Sequence, residues 1–345
     1  MCLRLISVIV PVYQVSEYVE RCLRSVMAQT YADMECIIVD DATKDDSIEK
    51  CERLIGSYTG PISFRIVHHD HNRGLSASRN TGVEASHGDY LYFLDSDDYI
   101  TPDCIERLAS VVKEDPSVEM VQGYYLLRRN DREEDNRPML MKHPIKTENL
   151  DATRREFYKN RTIYISVWNK LLKKSFVEEY GLYCREGVVF EDLLWLFYLL
   201  KNLKRAYIHN GITYYYCLRP GSISMAAKPE SVGCYALIFD EIFHHLTPGR
   251  EREEIEGFLY YFIKRYISYI AVVPALKDTL MLYRSKARQY HCWYVYVLLS
   301  FVGVFGRLGK LPRFMRWMNG LRWRSKRIVS SRYSGSGTAS KGTEA

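Results

Sequence analysis

The sequence predicts an α/β fold: a mostly parallel sheet with helices on both faces, followed by an α-helical carboxyl-terminal region. Three observations predict it. Short apolar runs alternate with amphipathic helical stretches through the first hundred residues. Two of them, Leu5 to Val10 and Met34 to Val39, are mainly apolar, which suits buried strands. Three of them end in distinctive segments, Pro11-Val12-Tyr13, Asp40-Asp41 and Asp95 to Asp98. At the carboxyl edge of an open α/β sheet, such segments line the crevice where ligands bind.

Each element has a local reason. Leu5 to Val10 is a β-branched run that Pro11 is expected to stop. Ser16 is placed to cap a helix with Val19, Cys22, Leu23, Val26 and Met27 on one face. Met34 to Val39 forms the second strand, and a helix from about Asp45 turns Ile48, Cys51, Leu54 and Ile55 inward. Gly60-Pro61 breaks the chain before a third strand, Ile62 to Val67. The polar loop from Asp70 to Gly74 leads to a short helix around Ala77 to Ala85. His87-Gly88 turns into a fourth strand, Tyr90 to Leu94. Thr101-Pro102-Asp103 reads as the next helix start, with a threonine cap and proline first. The alternation implies right-handed parallel crossovers.

Composition narrows the class. With 345 residues, 48 Lys+Arg against 42 Asp+Glu and 47% hydrophobic residues, the chain is too apolar and evenly charged for disorder. Nine cysteines without a CxxC argue against a zinc ribbon or a thioredoxin-like site, and suit a reducing, cytosolic compartment. The apolar start is too short for a signal peptide. No GxGxxG or GxxxxGK[ST] stands between a strand and a helix, which excludes dinucleotide and P-loop phosphate cradles. A glycine-rich basic loop after the first strand, expected of a sugar-1-phosphate nucleotidyltransferase, is absent as well.

The acidic segments carry the chemistry. Asp95 and Asp97, two apart at a strand end, can point their carboxylates to one side. Hard oxygens suit Mg²⁺ or Mn²⁺, which bridge to substrate phosphates and neutralise a diphosphate leaving group. A solvated turn is the competing reading, and the position opposite Asp40-Asp41 favours the metal. His68, His69 and His71 read as a strand end and a solvated loop. Glu191-Asp192 opens a very apolar helix, either as acids at a helix amino terminus or as a catalytic carboxylate.

Ser7-Val8-Ile9-Val10-Pro11-Val12-Tyr13, Val39-Asp40-Asp41, Asn72-Arg73-Gly74-Leu75-Ser76-Ala77-Ser78-Arg79-Asn80-Thr81-Gly82 and Phe93-Leu94-Asp95-Ser96-Asp97-Asp98 together resemble family 2 glycosyltransferases of the Rossmann-like GT-A fold. The resemblance implies an inverting, metal-dependent transfer from a nucleotide-diphosphate sugar to a glycan or lipid-linked acceptor, as in cell-surface polysaccharide synthesis. It implies a nucleotide-sugar site of Pro11, Tyr13, Asp40, Asp41, Arg79, Asp95 and Arg219. Mn²⁺ or Mg²⁺ would sit on Asp97 with Asp95, Asp192 would be the base, and Glu191 the second choice. Two departures are Gln14, where the family often has Asn, and Ala42-Thr43-Lys44, where Gly-Ser-Thr is common. If position 42 needs a positive φ, Ala42 makes that loop costlier. Trp168-Asn169-Lys170-Leu171 and Arg219-Pro220-Gly221-Ser222-Ile223 also resemble segments of this group. Arg219 would grip the departing diphosphate and Lys170 serve acceptor or phosphate, though both residue types are more often surface charges. Cys217 stands where many relatives carry another arginine.

Beyond residue 223 the chain turns aromatic and helical, with Phe258, Leu259, Tyr261, Phe262, Tyr266 and Ile267. The nearly uncharged run from Cys292 to Phe305 is shorter than the ~20 residues needed to span a bilayer. It reads either as a core helix or as an interfacial segment. Basic residues from Arg307 to Arg332, interleaved with Phe314, Trp317, Leu321 and Trp323, suit an anionic membrane or nucleic acid; the resemblance to glycosyltransferases implies peripheral contact with the membrane. The expected organisation is a catalytic domain over 1–223, a helical region over 224–333 and a disordered tail over 334–345. A processive polysaccharide synthase is rejected, because Arg313-Phe314-Met315-Arg316-Trp317 lacks the family's Gln. The rival reading is a catalytically silent scaffold of a glycan-assembly complex. Oligomeric state is not readable.

Overall fold

The computed structural model describes residues 5–129, 132–133, 143–219, 229–254, 257–258, 276–289 and 291. The chain divides into two compact units, Met1–His245 and Leu246–Ala345. The first therefore continues past the boundary expected at 223.

In the first unit, β1 (Ile6–Val12), α1 (Val19–Met27), β2 (Met34–Asp40), α2 (Ser47–Ser57), β3 (Ser63–His68), α3 (Leu75–Ala85) and β4 (Tyr90–Phe93) follow in the predicted alternation. After β5 (Tyr99–Ile100) come α4 (Cys104–Glu114), β6 (Met120–Arg129), β7 (Arg132–Glu133), β8 (Ile145–Lys146) and α5 (Leu150–Arg155) with a π-helical turn behind it. Then follow β9 (Lys170–Lys173), α6 (Lys174–Glu179), α7 (Glu191–Asn202), β10 (Ala206–Leu218) and α8 (Pro229–His244). The sheet order is β3-β2-β1-β4-β9-β6-β10-β5, with β7 on β6 and β8 on β10. Strands β3, β2, β1 and β4 are parallel, as are β6 and β10. The sheet is mixed rather than purely parallel, because β9 inserts antiparallel between β4 and β6.

Several local expectations are corrected. Pro11 does not stop β1. It lies within the strand, opposite Val39 of β2 and beyond the last β4 partner at Ile9, where its missing N–H leaves no ladder bond unmade. Ser16 does not cap α1, whose amino-terminal flanking residue is Tyr18; the Ser16 hydroxyl turns to Asp46 of the next loop. Thr101 likewise bonds Asp103, and α4 begins only at Cys104.

Gly82 seats α3 on the sheet, since a Cβ there would lie 2.2 Å from Ile9 Cγ2. Helix and strand backbones approach closely at this point, which makes α3 a rigid platform. The core on one face gathers Val8, Val10, Leu23, Ile38, Tyr92 and Leu108, all fully buried. In the second unit the described helix is α9 (Leu276–Gln289), and Phe258 is buried. The expected run at 292–305, the basic segment to Arg332 and the tail from Ser334 lie outside the described residues. No helix among the described residues is long and apolar enough to cross a membrane.

Candidate active site

The carboxyl ends of β2, β1 and β4 lie side by side. Asp41 N–H donates to Val12 O at 3.0 Å and Leu94 N–H to Ile9 O at 3.0 Å. Tyr13 is exposed just past β1, while Pro11 is buried. At the end of β2, Asp40 Oδ1 accepts the Thr43 N–H at 2.9 Å, and Oδ2 lies 2.9 Å from His68 Nδ1. Gln14 and Ala42 take φ of 51° and 53°, so both departures from the family pattern fall where L side chains are strained.

Asp41 is turned into the protein. Its oxygens accept Arg73 N–H at 2.7 Å, Gly74 N–H at 2.8 Å and Asn72 Nδ2 at 2.9 Å, with His69 Nδ1 at 2.8 Å. His69 reaches Thr81 Oγ1 through its other nitrogen at 2.9 Å, so this histidine is a buried link and not part of a solvated loop. Asp41 thereby folds the polar loop whose end, Gly74 at φ 89°, starts α3.

Arg79 of α3 pairs with neither Glu84 nor solvent. Only 3% exposed, it donates through Nη2 to Asp95 Oδ1 at 2.7 Å and through Nη1 to Glu191 Oε1 at 2.5 Å. Burial works against its charge, but Asp95 and then Glu191 more than offset this and hold the guanidinium well above its ordinary pKa. Its Nε is buried without an acceptor among the described residues.

The three acids after β4 have separate fates. Asp97 Oδ2 accepts Arg219 Nε at 2.6 Å, so Arg219 reaches the rim through this carboxylate. Burial and then the neighbouring Asp95 charge raise the Asp97 pKa, with Arg219 acting in opposition. Asp98 was not singled out from sequence. It is fully buried, takes the Tyr214 hydroxyl at 2.6 Å and Cys217 N–H at 2.7 Å, and so fastens the end of β10, which carries Arg219. Burial, then Asp97 and Asp95, raise its pKa far above the usual carboxylate range.

Among the described residues no three His, Cys, Asp or Glu side chains are arranged to hold a metal by themselves. The donor set nonetheless fits a hard divalent cation. Asp97 is a carboxylate whose charge is disfavoured by burial and by Asp95, and Mg²⁺ or Mn²⁺ takes one or two carboxylates and completes its shell with water and phosphate.

On the opposite side of the site, α7 starts at Glu191 after Phe190, whose φ is 69°. Glu191 is 7% exposed and held by Arg79, while Asp192 is half-buried beside it. Lys170 corrects the surface-charge expectation. It is fully buried on β9 and donates through Nζ to Ser166 O. Burial pushes its pKa down to about 7 against the opposing attraction of Asp192. Its position next to the apolar pair Leu171-Leu172, in a strand flanked on both sides, was the signal for burial.

Sequence and structure comparisons place the chain in a family and a fold. The pattern described as "Glycosyl transferase family 2" matches residues 7–181, and the chain belongs to that family. Glycosyltransferase GlyA of Streptococcus pneumoniae is 33% identical over 238 residues, 64% of this chain but 31% of GlyA. The uncharacterized glycosyltransferase EpsJ of Bacillus subtilis is 30% identical over 222 residues, 64% of this chain and 63% of EpsJ. The match thus spans less than two thirds of either relative. Among solved structures, Staphylococcus aureus TarS 1–349 with UDP superposes at TM-score 0.66 and 18% identity, covering 92% of this chain and 91% of that one. Mannosyltransferase PcManGT from Pyrobaculum calidifontis, with GDP-Man and Mn²⁺, gives TM-score 0.56 and 14% identity over 89% of this chain and 88% of that one. These likenesses place the first unit in the GT-A fold.

Proposed function

We propose that the protein transfers a sugar, with inversion, from a nucleotide-diphosphate sugar to a hydroxyl of a glycan or lipid-linked glycan. The observation that carries this reading is the Asp95–Arg79–Glu191 bridge, which ties the acidic rim to the start of the helix bearing Asp192. Asp192 takes the acceptor proton as the hydroxyl attacks the anomeric carbon. Glu191, engaged by Arg79, is the poorer candidate for that proton. Tyr13 and Asp40 face the nucleoside, and the Arg79 Nε offers a donor to a ligand oxygen. Asp97 with Asp95 would hold Mn²⁺ or Mg²⁺, which supplies charge neutralisation at the departing diphosphate. Relatives named glycosyltransferases, a TarS structure with UDP-GlcNAc and the PcManGT structure with GDP-Man and Mn²⁺ support the donor class. The basic residues from Arg307 to Arg332 suit an anionic membrane face, where a lipid-linked acceptor would be presented, and support a peripheral position on the cytoplasmic side.

A screen of nucleotide sugars by thermal shift with and without Mn²⁺ tests the reading, because a donor that binds the native state raises its melting temperature. Asp192→Asn is expected to lower turnover by about 10²–10⁴-fold with donor binding retained, and Asp97→Ala to remove the metal-dependent part of the shift. Near-normal turnover of Asp192→Asn would remove the base assignment.

A further inference from the structure

The grip of α3 on the chain leading into α7 goes beyond a single ion pair. Asn80, next to Arg79, reads both polar groups of one peptide position: its Nδ2 donates to Cys184 O at 2.8 Å, and its Oδ1 accepts Cys184 N–H at 2.8 Å. Arg79 then takes Glu191, seven residues further on, while its other arm holds Asp95. Two consecutive residues of a helix fixed to β1 at Gly82 therefore hold both ends of the 184–191 segment. That segment needs holding. Gly187 has φ 74°, and Phe190, a bulky residue, sits in the left-handed region immediately before Glu191. Such a conformation persists only where its surroundings over-determine it. Trp195 Nε1 adds a bond to Leu182 O at 3.0 Å, which closes the loop on its own helix.

We propose that Arg79 and Asn80 form a clamp that registers the start of α7 against the acidic rim, and that Glu191 is a positioning residue for the adjacent Asp192. The assignment of Asp192 rests on the glycosyl-transfer reading above; the clamp does not. A base one turn-start away from a strained loop must be held to a fraction of an ångström, since a small misplacement costs rate without costing donor affinity. Because the same guanidinium holds Asp95, the acceptor-side carboxylate keeps a fixed relation to the donor side of the site.

The experiment compares the full chain with Asn80→Ala, Glu191→Ala and Glu191→Gln. Hydrogen exchange is followed over residues 184–195, and UDP release is followed with UDP-N-acetylglucosamine and Mn²⁺ as the probe. The alanine variants are expected to exchange about tenfold faster over 184–195, with β1 and β2 unchanged. Glu191→Ala should lose roughly tenfold to a hundredfold in kcat with little change in KM for the donor. Glu191→Gln, whose amide oxygen still accepts from Arg79, should recover most of both. Unchanged exchange in both alanine variants would overturn the clamp. If Glu191→Gln were as inactive as Asp192→Asn with normal exchange, Glu191 would act chemically and the positioning role would be lost. If the wild-type chain releases nucleotide from no sugar donor, the transfer reading fails, and the exchange data alone decide the clamp.

Discussion

Two acidic doublets flank the site, Asp40-Asp41 at the end of β2 and Glu191-Asp192 at the start of α7, and they are built alike but anchored differently. In each, one carboxylate is buried and its neighbour half-buried: Asp41 lies beside Asp40, Glu191 beside Asp192. Asp41 is held by backbone N–H groups and side chains of one loop, all within 33 positions along the chain. Glu191 is held by a buried guanidinium 112 positions away, which is shared with Asp95. The first is a local knot that shapes a loop. The second is a charged tie between distant parts of the fold, and losing it strands charges instead of dipoles.

The largest expected effect follows from that difference. Arg79→Met removes the cation from two partly or fully buried carboxylates, and breaking a buried pair this way costs about 3–5 kcal/mol. Asp41→Asn keeps one oxygen but presents an amide NH₂ to donors, a loss of about 2 kcal/mol. Urea unfolding of both variants measures the gap. Equal losses would break the contrast between a long-range charged tie and a local knot.

Much of the acidic rim was legible in sequence, and much of the α7 side of the site was not. The strands to β4 announce themselves because each is a mainly apolar run between polar breaks, and the acidic ends of β2 and β4 mark the rim. The antiparallel insertion of β9 carries no such mark, since strand order depends on contacts between remote segments. The partners of Arg79 are unreadable for the same reason: an arginine about one turn into a helix looks like a surface charge until Asp95 and Glu191 are brought to it. Asp98 was hidden inside a four-residue acidic run whose members point to different partners. The family resemblance marked Ala42 as a departure; only the loop geometry reveals that Gln14 shares its left-handed conformation.

Lys170 gives the α7 side of the site a pH signature opposite in charge to that of the buried acids on the rim. Its pKa in the folded protein is about 7, against an ordinary value of 10.5. Between those values the unfolded chain binds the extra proton, so stability rises with pH across that window. Below about pH 7 both states are protonated and the cost of the buried ammonium is complete. Lys170→Met is therefore expected to stabilise the protein at pH 6 by about 1–3 kcal/mol, less whatever Asp192 loses with its partner. That gain should shrink as the pH is raised from 7 towards 10. Thermal unfolding at pH 6, 8 and 9.5 checks it, and a gain that grows with pH would reverse the assigned direction.

The smallest effect belongs to the donor side. Ala42 follows directly on the Asp40-Asp41 pair at φ 53°, where a Cβ is opposed by the backbone and glycine is not. The conformation is imposed from both ends: Asp41 is fixed by its four donors, and Asp40 holds the Thr43 N–H one residue beyond. Relieving the Cβ contact gains about 1–2 kcal/mol, and the wider freedom of glycine in the unfolded chain takes back about 0.5–1 kcal/mol. Ala42→Gly should thus stabilise by about 0.5–1 kcal/mol, measured as a shift of the urea midpoint at constant slope. Because the two ends of the turn stay anchored, donor affinity should not move. A destabilised Ala42→Gly would mean that the local knot at Asp41 does not hold the turn, and the likeness drawn between the two doublets would fail at its local member.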